Sequence, residues 1–484
     1  MTTASGLFVR RDIWALEEQQ QWHPIIEAYA IGIAAMQQRA AGDPTSWTYQ
    51  AAVHAVPVGG RGDRFRDQCQ HGSWFFLPWH RMYLYWFERI VRAAIAASPD
   101  VPDEVKASWA LPYWRYGRGG KYASLPPCFR EPMHNGSPNP LYVQQRARRI
   151  NAGGSLPLQT VSAAQAMKKQ LYARKAVAGL TAGFGGPITG WNHDPNVAFG
   201  ALEQTPHNDV HVGVGGPEGY MSAFDTAPLD PVFWLHHANI DRLWAVWLKR
   251  PHRHNPTSTA WRTHVFHFHD EHGNDVQAKP AAVADTAALG YTYDPAPAPP
   301  PASPTAAAEA RDVTPPPPEH PPELVGATQR PVILAGEPVT VALTVSEPTS
   351  PQLRAAAPSE RRFYLNVEGI TGERNPGISY GVYLDAPRGA APPPADDPRH
   401  VGNVSFFGIE RVGDVRQEHA DAPGLRHVFN VGDAVHALRR SGAWHERRLT
   451  VTFFPLRPSA GDALDTEEEA VPPVTVGRVA LYLQ

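Results

Sequence analysis

Cysteine is scarce in this chain, with two in 484 residues. That excludes a disulfide scaffold, because stapled domains carry cysteine far more densely. Cys128, in Pro126-Pro127-Cys128-Phe129, has no partner visible in the sequence. Long apolar runs are missing too: none approaches the roughly 18 residues of a membrane span, so no membrane association is expected. Nor does charge of one sign dominate. A net charge of −3 offers no electrostatic attraction to nucleic acid or anionic lipid. The opening residues carry Arg10-Arg11 but continue into Asp12 and Glu17-Glu18, not an apolar stretch, so neither a secretory nor a twin-arginine export signal is expected. The expected location is the cytoplasm, with export by a partner and oligomerisation left open.

Proline is plentiful, at 50 residues, and unevenly placed. Residues 295 to 323 collapse to Pro and Ala, a composition that favours extended geometry and forms no core. The stretch reads as a linker between two domains, as the chain length also suggests. Before it, residues 13 to 39 space Ile13, Leu16, Trp22, Ile25, Ile26, Tyr29, Ile33 and Met36 as an amphipathic helix interrupted at Pro24. A short helix leads to His54, a longer one spans about 78 to 97, and another short one is expected near 163 to 176. His264, His267, His269 and His272 alternate with Phe as on a surface strand. After the linker, β-branched and aromatic runs at 338–345, 362–367, 378–384, 400–410, 448–455 and 474–483 are separated by Gly, Pro and Asp turns. They predict a β-sandwich over residues 324 to 484.

Histidine carries the chemistry. His207 and His211 stand four residues apart, a spacing that on a helix puts both imidazoles on one face about 6 Å apart along the axis. Such a pair can share a transition metal. A third ligand is needed, and His237 is the candidate, with Asp241, Trp244 and Leu248 continuing its helix face; His236 points about a quarter of a turn away. A second trio lies earlier: His54, then His71 and His80 in a stretch dense with Trp74, Phe75, Phe76 and Trp79.

These two stretches resemble the paired copper-binding regions of the tyrosinase, catechol oxidase and molluscan haemocyanin family. His71, Phe76, His80, Arg81, Leu84 and Glu88 fit its first signature; Asp230, Pro231, Phe233, Trp234, His237 and Asp241 fit its second, which selects His237 over His236. The resemblance implies a mainly α catalytic domain, residues 1 to 294, built on a four-helix bundle that holds a dinuclear copper site and takes O2 as co-substrate. One copper falls to His54, His71 and His80, the other to His207, His211 and His237. It implies a small phenolic substrate, hydroxylated at the ortho carbon and oxidised to an o-quinone. In tyrosinase-like members a glutamate and an asparagine at the positions of Glu203 and Asn208 hold the water that deprotonates a monophenol. Two alternatives stay open: a catechol oxidase without monophenolase activity, and an oxygen-binding protein of haemocyanin type. Gly290-Tyr291-Thr292-Tyr293-Asp294 resembles the tyrosine motif that closes plant polyphenol oxidase domains, with Arg10 or Arg11 as its expected partner. Phe363-Tyr364-Leu365-Asn366-Val367-Glu368-Gly369-Ile370 resembles the C-terminal domain of latent plant enzymes, which implies a lid over the copper pocket.

Cys69, two residues before His71, matches the Cys-x-His of fungal tyrosinases and molluscan haemocyanins, where sulfur is bonded to the imidazole. The resemblance implies a thioether between Cys69 and His71. Copper-matured protein, denatured and reduced, is then expected to weigh two hydrogens less than its sequence and to alkylate at one thiol; quantitative alkylation of Cys69 would rule the bond out.

Overall fold

A computed structural model describes residues 6–175, 180–191, 198–294, 321–356, 361–386, 389, 391–412, 424–445, 447–460 and 470–484. Most of the Pro/Ala stretch, residues 295–320, therefore lies outside the described residues. Helix α1 (Ile13–Gln19) starts where the Asp12 carboxylate accepts the N–H of Trp14. The chain breaks and restarts as α2 (Pro24–Gln37), with proline at the first helical position, where its missing N–H costs no helix bond. Then come α3 (Trp47–His54), capped by Ser46, and α4 (Phe76–Ala97). A β-carbon on Gly32 of α2 would stand 2.8 Å from a Val91 methyl of α4, so glycine lets these two helices approach closely.

Helices α5 (Asp209–Gly215) and α6 (Pro231–Leu248) complete the core. The Asp230 carboxylate caps α6 by accepting the Val232 N–H, and Arg146 holds that carboxylate with two bonds of 2.7 Å. Helix α6 lies on α4 through the Phe87 and Trp234 rings, which stack at 3.4 Å. Both rings are fully buried, so the contact removes apolar area from water on both helices. No described helix is long and apolar enough to cross a membrane.

One expectation changes. The helix expected near 163 to 176 is divided into Leu158–Val161 and Ala164–Lys168, after which Ala173–Lys175 pairs in parallel with Gly186–Ile188. Side chains of α6 and its end decide this: Trp247 donates to the Lys169 carbonyl at 2.7 Å and Arg250 to that of Met167 at 2.9 Å, replacing helical bonds. Around the clustered histidines, Phe266–His269 does form a strand, paired with Asp275–Ala278. Phe266 and Phe268 face inward, and among the described residues these histidines form no metal-ligating group.

The C-terminal region is β-rich. Its strands are β1 (Glu323–Ala327), β2 (Val332–Leu334), β3 (Val339–Thr344), β4 (Phe363–Thr371), β5 (Ser379–Leu384), β6 (His400–Val404), β7 (Leu425–Asn430), β8 (Arg448–Leu456) and β9 (Val474–Leu483). One sheet runs β2-β9-β4-β7, with β1 also on β9; the other runs β3-β8-β5-β6. Leu365, Val367 and Leu481 of the first sheet and Val382, Val451 and Phe453 of the second share one buried core. That packing makes the pair a sandwich.

Between α4 and α6 lies a buried ionic network. Phe8–Arg10 pairs in parallel with Tyr291–Tyr293, which brings Arg10 into the interior. Its guanidinium bonds Glu88 of α4 at 3.0 Å and Asp241 of α6 at 3.4 Å, and covers the Tyr291 ring at 3.8 Å. Arg10, not Arg11, is thus the partner of the tyrosine motif. Tyr291 donates to Asp241 at 2.6 Å, and Arg81 bonds its other oxygen. Burial alone would raise the Asp241 carboxyl, but Arg81 and Arg10 hold it below the usual range. Removing one member of such a set leaves the others buried and unpaired. Arg10→Met is expected to lose about 3 to 5 kcal/mol of stability, read as a lowered midpoint in chemical unfolding; an unchanged midpoint would mean the network is energetically neutral.

Candidate metal centre

Each of the six histidines singled out from sequence is buried, and each reaches one region from a different support. His54 ends α3, and its Nδ1 bonds the Phe224 carbonyl at 2.7 Å. His71 stands on the loop before α4, beside Gly72 at φ +59°, a backbone conformation that glycine adopts without strain. His80 sits one turn into α4 and uses Nδ1 on the Phe76 carbonyl of that turn, at 2.8 Å. His211 on α5 bonds the Met221 carbonyl at 2.8 Å. His207 precedes α5 on an irregular turn, because Pro206 has no N–H to donate and Thr205 is extended. Its Nδ1 bonds the Asn208 Oδ1 at 2.8 Å. His237 lies on α6, and its Nδ1 has no protein partner.

Glu203, on the segment that leads to the second trio, holds the fifth anchored ring, His71. Its carboxylate accepts from His71 Nδ1 at 3.0 Å and from the Gly72 N–H at 2.9 Å. Full burial pushes this carboxyl up to about 8, against the pull of the Gly72 and Gly200 N–H groups. Burial likewise holds His80, His211 and His237 well below the usual imidazole range and His207 down to about 3. These rings are neutral, as metal ligation requires.

With Nδ1 donating outward, the lone pair at Nε2 points inward. The Nε2 atoms of His54 and His71 lie 3.3 Å apart, as do those of His211 and His237. Those of His80 and His207 are buried with no protein partner. Converging lone pairs repel unless a cation sits among them, and a buried unpaired acceptor is costly. The donor set therefore fits transition-metal ions, for which imidazole is a good ligand.

The two trios face each other. His80 and His237 stack at 4.5 Å, nearly parallel at 10°, and the His71 and His207 rings are 5.5 Å apart. By ligand-atom distance alone the groups divide slightly differently: His54 and His71 with Cys69, and His207, His211 and His237 with His236. His80 joins the first group through its ring, 5.2 Å from that of His71. His236 is buried with neither nitrogen bonded to protein. Its side chain is closer to the second trio than helical spacing implied.

Aromatic rings line the gap. Phe76 is 4.7 Å from His80, Phe233 is 4.3 Å from His237 and Phe224 stacks on His71 at 4.4 Å. A further ring comes from the β-sandwich. Phe407, just past β6, stacks on His211 at 4.0 Å and 16°, touches Phe224 at 4.5 Å and is 1% exposed. Nothing in the sequence distinguished Phe407 or Phe224. Phe407 lies within the run 400–410 read as a strand, and its destination depends on how the domains meet.

The comparisons agree with this geometry. Residues 44–250 match the common central domain of tyrosinase, 255–303 the polyphenol oxidase middle domain and 321–484 a domain of unknown function. Tyrosinase HcTyr1 of Hahella sp. (strain CCB-MM4) is 31% identical over 94% of this chain and 96% of its own length. The chain belongs to the tyrosinase family. Tyrosinase relatives from plants match less of it: the chloroplastic polyphenol oxidase of Vitis vinifera is 34% identical over 53% of this chain and 43% of its own. Among solved structures, latent apple tyrosinase superposes with a TM-score of 0.61 at 22% identity, covering 99% of this chain and 97% of that one. Latent aurone synthase superposes with a TM-score of 0.59 at 20% identity over 99% and 89%. Both likenesses concern the fold, sandwich included. Members of the tyrosinase family are copper-dependent oxidases of phenols, and this centre has the histidine clusters that such chemistry uses.

Proposed function

We propose that the protein is a latent tyrosinase that ortho-hydroxylates monophenols and oxidises o-diphenols to o-quinones with O2. His54, His71 and His80 would hold one copper, and His207, His211 and His237 the other. The convergence of six buried imidazoles, five anchored through Nδ1, carries the reading. Bound there, a copper pair supplies the electrons and the site for reducing dioxygen beside the phenol.

The chain's own residues orient the ligands, exclude water and move a proton. Phe76, Phe224 and Phe233 make the dry wall that keeps the centre from bulk solvent. Phenols reach the metal best as phenolate, so a base must take the hydroxyl proton. In this reading Glu203 and Asn208 hold the water that does so. Asn208 spends its Oδ1 on His207, and its buried Nδ2 has no protein partner, which leaves a donor for that water. Glu203 has a second duty as acceptor for His71 Nδ1. The thioether between Cys69 and His71 belongs to the same reading; Cys69 is buried within ligand distance of His54 and His71.

Latency would rest on Phe407. Its ring covers His211 and Phe224 where a phenol ring would have to lie, and the sandwich that carries it is docked beside it. Arg411, a few residues on, donates to the Val56 carbonyl at 2.6 Å, and Asn375 reaches the Ser222 carbonyl at 3.3 Å.

Two outcomes are expected from oxygen consumption by the copper-loaded chain. Asn208→Ala should lose monophenol turnover far more than o-diphenol turnover; equal losses would refute the water-holding role. Phe407→Ala in the full-length chain should raise o-diphenol turnover by about tenfold or more, about 1.4 kcal/mol off the barrier to access. A variant as slow as the parent, beside an activated linker-cleaved chain, would place the block elsewhere.

A further inference from the structure

The docked sandwich does more at this centre than cover it. Asn403, on β6, is fully buried, and its backbone register opposite Gly381 of β5 is set by the sheet. From that fixed position its Nδ2 donates to the Asp209 Oδ2 at 2.7 Å and to the Gln159 carbonyl at 2.8 Å. His400 Nε2 bonds the Asn403 Oδ1 at 2.9 Å, orienting the amide, and the Asn403 carbonyl accepts from Gln204 at 3.4 Å. Three of these four bonds cross to the helical domain. All of the crossing bonds but the one to Gln159 end on residues 204 to 209, the segment that carries His207.

Asp209 is the first residue of α5, and it lies between the two histidines of the second trio, two residues from each. It is fully buried, and among the described residues no arginine or lysine is paired to it and its Oδ1 has no hydrogen-bond partner. Its Oδ2 accepts from two donors: Asn403, and Thr205 at 2.8 Å. The Thr205 bond closes a loop around Pro206, His207 and Asn208. The Asn403 bond fastens that loop and the start of α5 to the sandwich. Without Asn403 the buried carboxyl loses its 2.7 Å donor from the sandwich, and the segment has to shift to solvate it. That shift would pass to His207 through Asn208 and to His211 through the first turn of α5.

We propose that Asn403 is a positioning residue for the second trio, acting through Asp209, so that the docked β-sandwich helps to retain the metal ion it encloses. The inference rests on the copper assignment proposed above. It is separate from the covering role of Phe407: one side chain fills space in front of the ligands, the other anchors the backbone behind them.

Copper release to a chelator from the full-length, copper-loaded chain tests it, with the parent's copper content measured first. A parent that binds fewer than two coppers would sink the copper assignment itself and this inference with it. Given two, Asn403→Ala should release one of the two ions about tenfold to a hundredfold faster, the range for lost outer partners of metal ligands, and the other at the parent rate. Latency reports docking, so the variant should remain as slow as the parent toward o-diphenols before activation. Asn403→Asp, which sets two carboxyls face to face, should accelerate release further; the double variant Asn403→Asp/Asp209→Asn reverses donor and acceptor and should recover much of the retention. Parent-like release from Asn403→Ala would overturn the proposal. So would equal acceleration of both ions, full loss of latency, or a double variant no better than its single components, since each means general loosening instead of a specific anchor.

Discussion

The structure depends on the direction in which its imidazoles are held. A histidine ring offers two nitrogens, and whichever one is engaged by an acceptor decides what the other can do. Here the Nδ1 atoms of His54, His80 and His211 are taken by backbone carbonyls, that of His207 by Asn208 and that of His71 by Glu203. Five nitrogens facing outward leave five facing the same gap. Burial keeps His80, His207, His211 and His237 neutral, so the gap collects lone pairs there instead of charge. Such a centre favours a cation inside it, and that one constraint connects the helical core to metal-dependent chemistry.

Holding the rings requires a rigid frame behind them, and the frame is ionic. Arg10, Arg81, Glu88 and Asp241 lie fully or nearly buried between α4 and α6. Arg81 follows His80 directly, and Asp241 is one helical turn from His237. Each ligand-bearing helix is thereby tied to the other close to its histidine. A buried set of this kind contributes little net stability over apolar residues of equal volume, but it tolerates no partial loss. It fixes the relative register of α4 and α6, and the stacked His80 and His237 rings show the result.

The second domain enters on both sides of the centre. Phe407 lies against the open face of His211 while Asn403 grips the backbone of the same trio through Asp209. A domain used as a lid must leave for phenols to enter, and a domain used as a support must stay for the metal to remain ordered. In this chain the two contacts are different residues about four positions apart in sequence, on one strand end. A small displacement of the loop after β6 can therefore move Phe407 while β6 itself stays in its sheet.

The sequence alone determined what is local or strongly periodic. Histidine spacing, the two long signatures and the composition of the Pro/Ala stretch identified the ligand candidates, the helical core and the later run of strands, because these depend on side-chain type at fixed separations along one element. The resemblance offered Arg10 or Arg11 as the partner of Tyr291 and Tyr293, and the structure selected Arg10. Tertiary structure decided the rest. Trp247 and Arg250 broke the helix expected near residue 163 by claiming its carbonyls, Glu203 proved to serve His71 of the opposite trio, and Phe407 and Asn403 gained their places only when the sandwich docked. Contacts between residues far apart in the chain leave no periodic trace in a single sequence, since nothing in the spacing of either partner encodes the surface on which it will land.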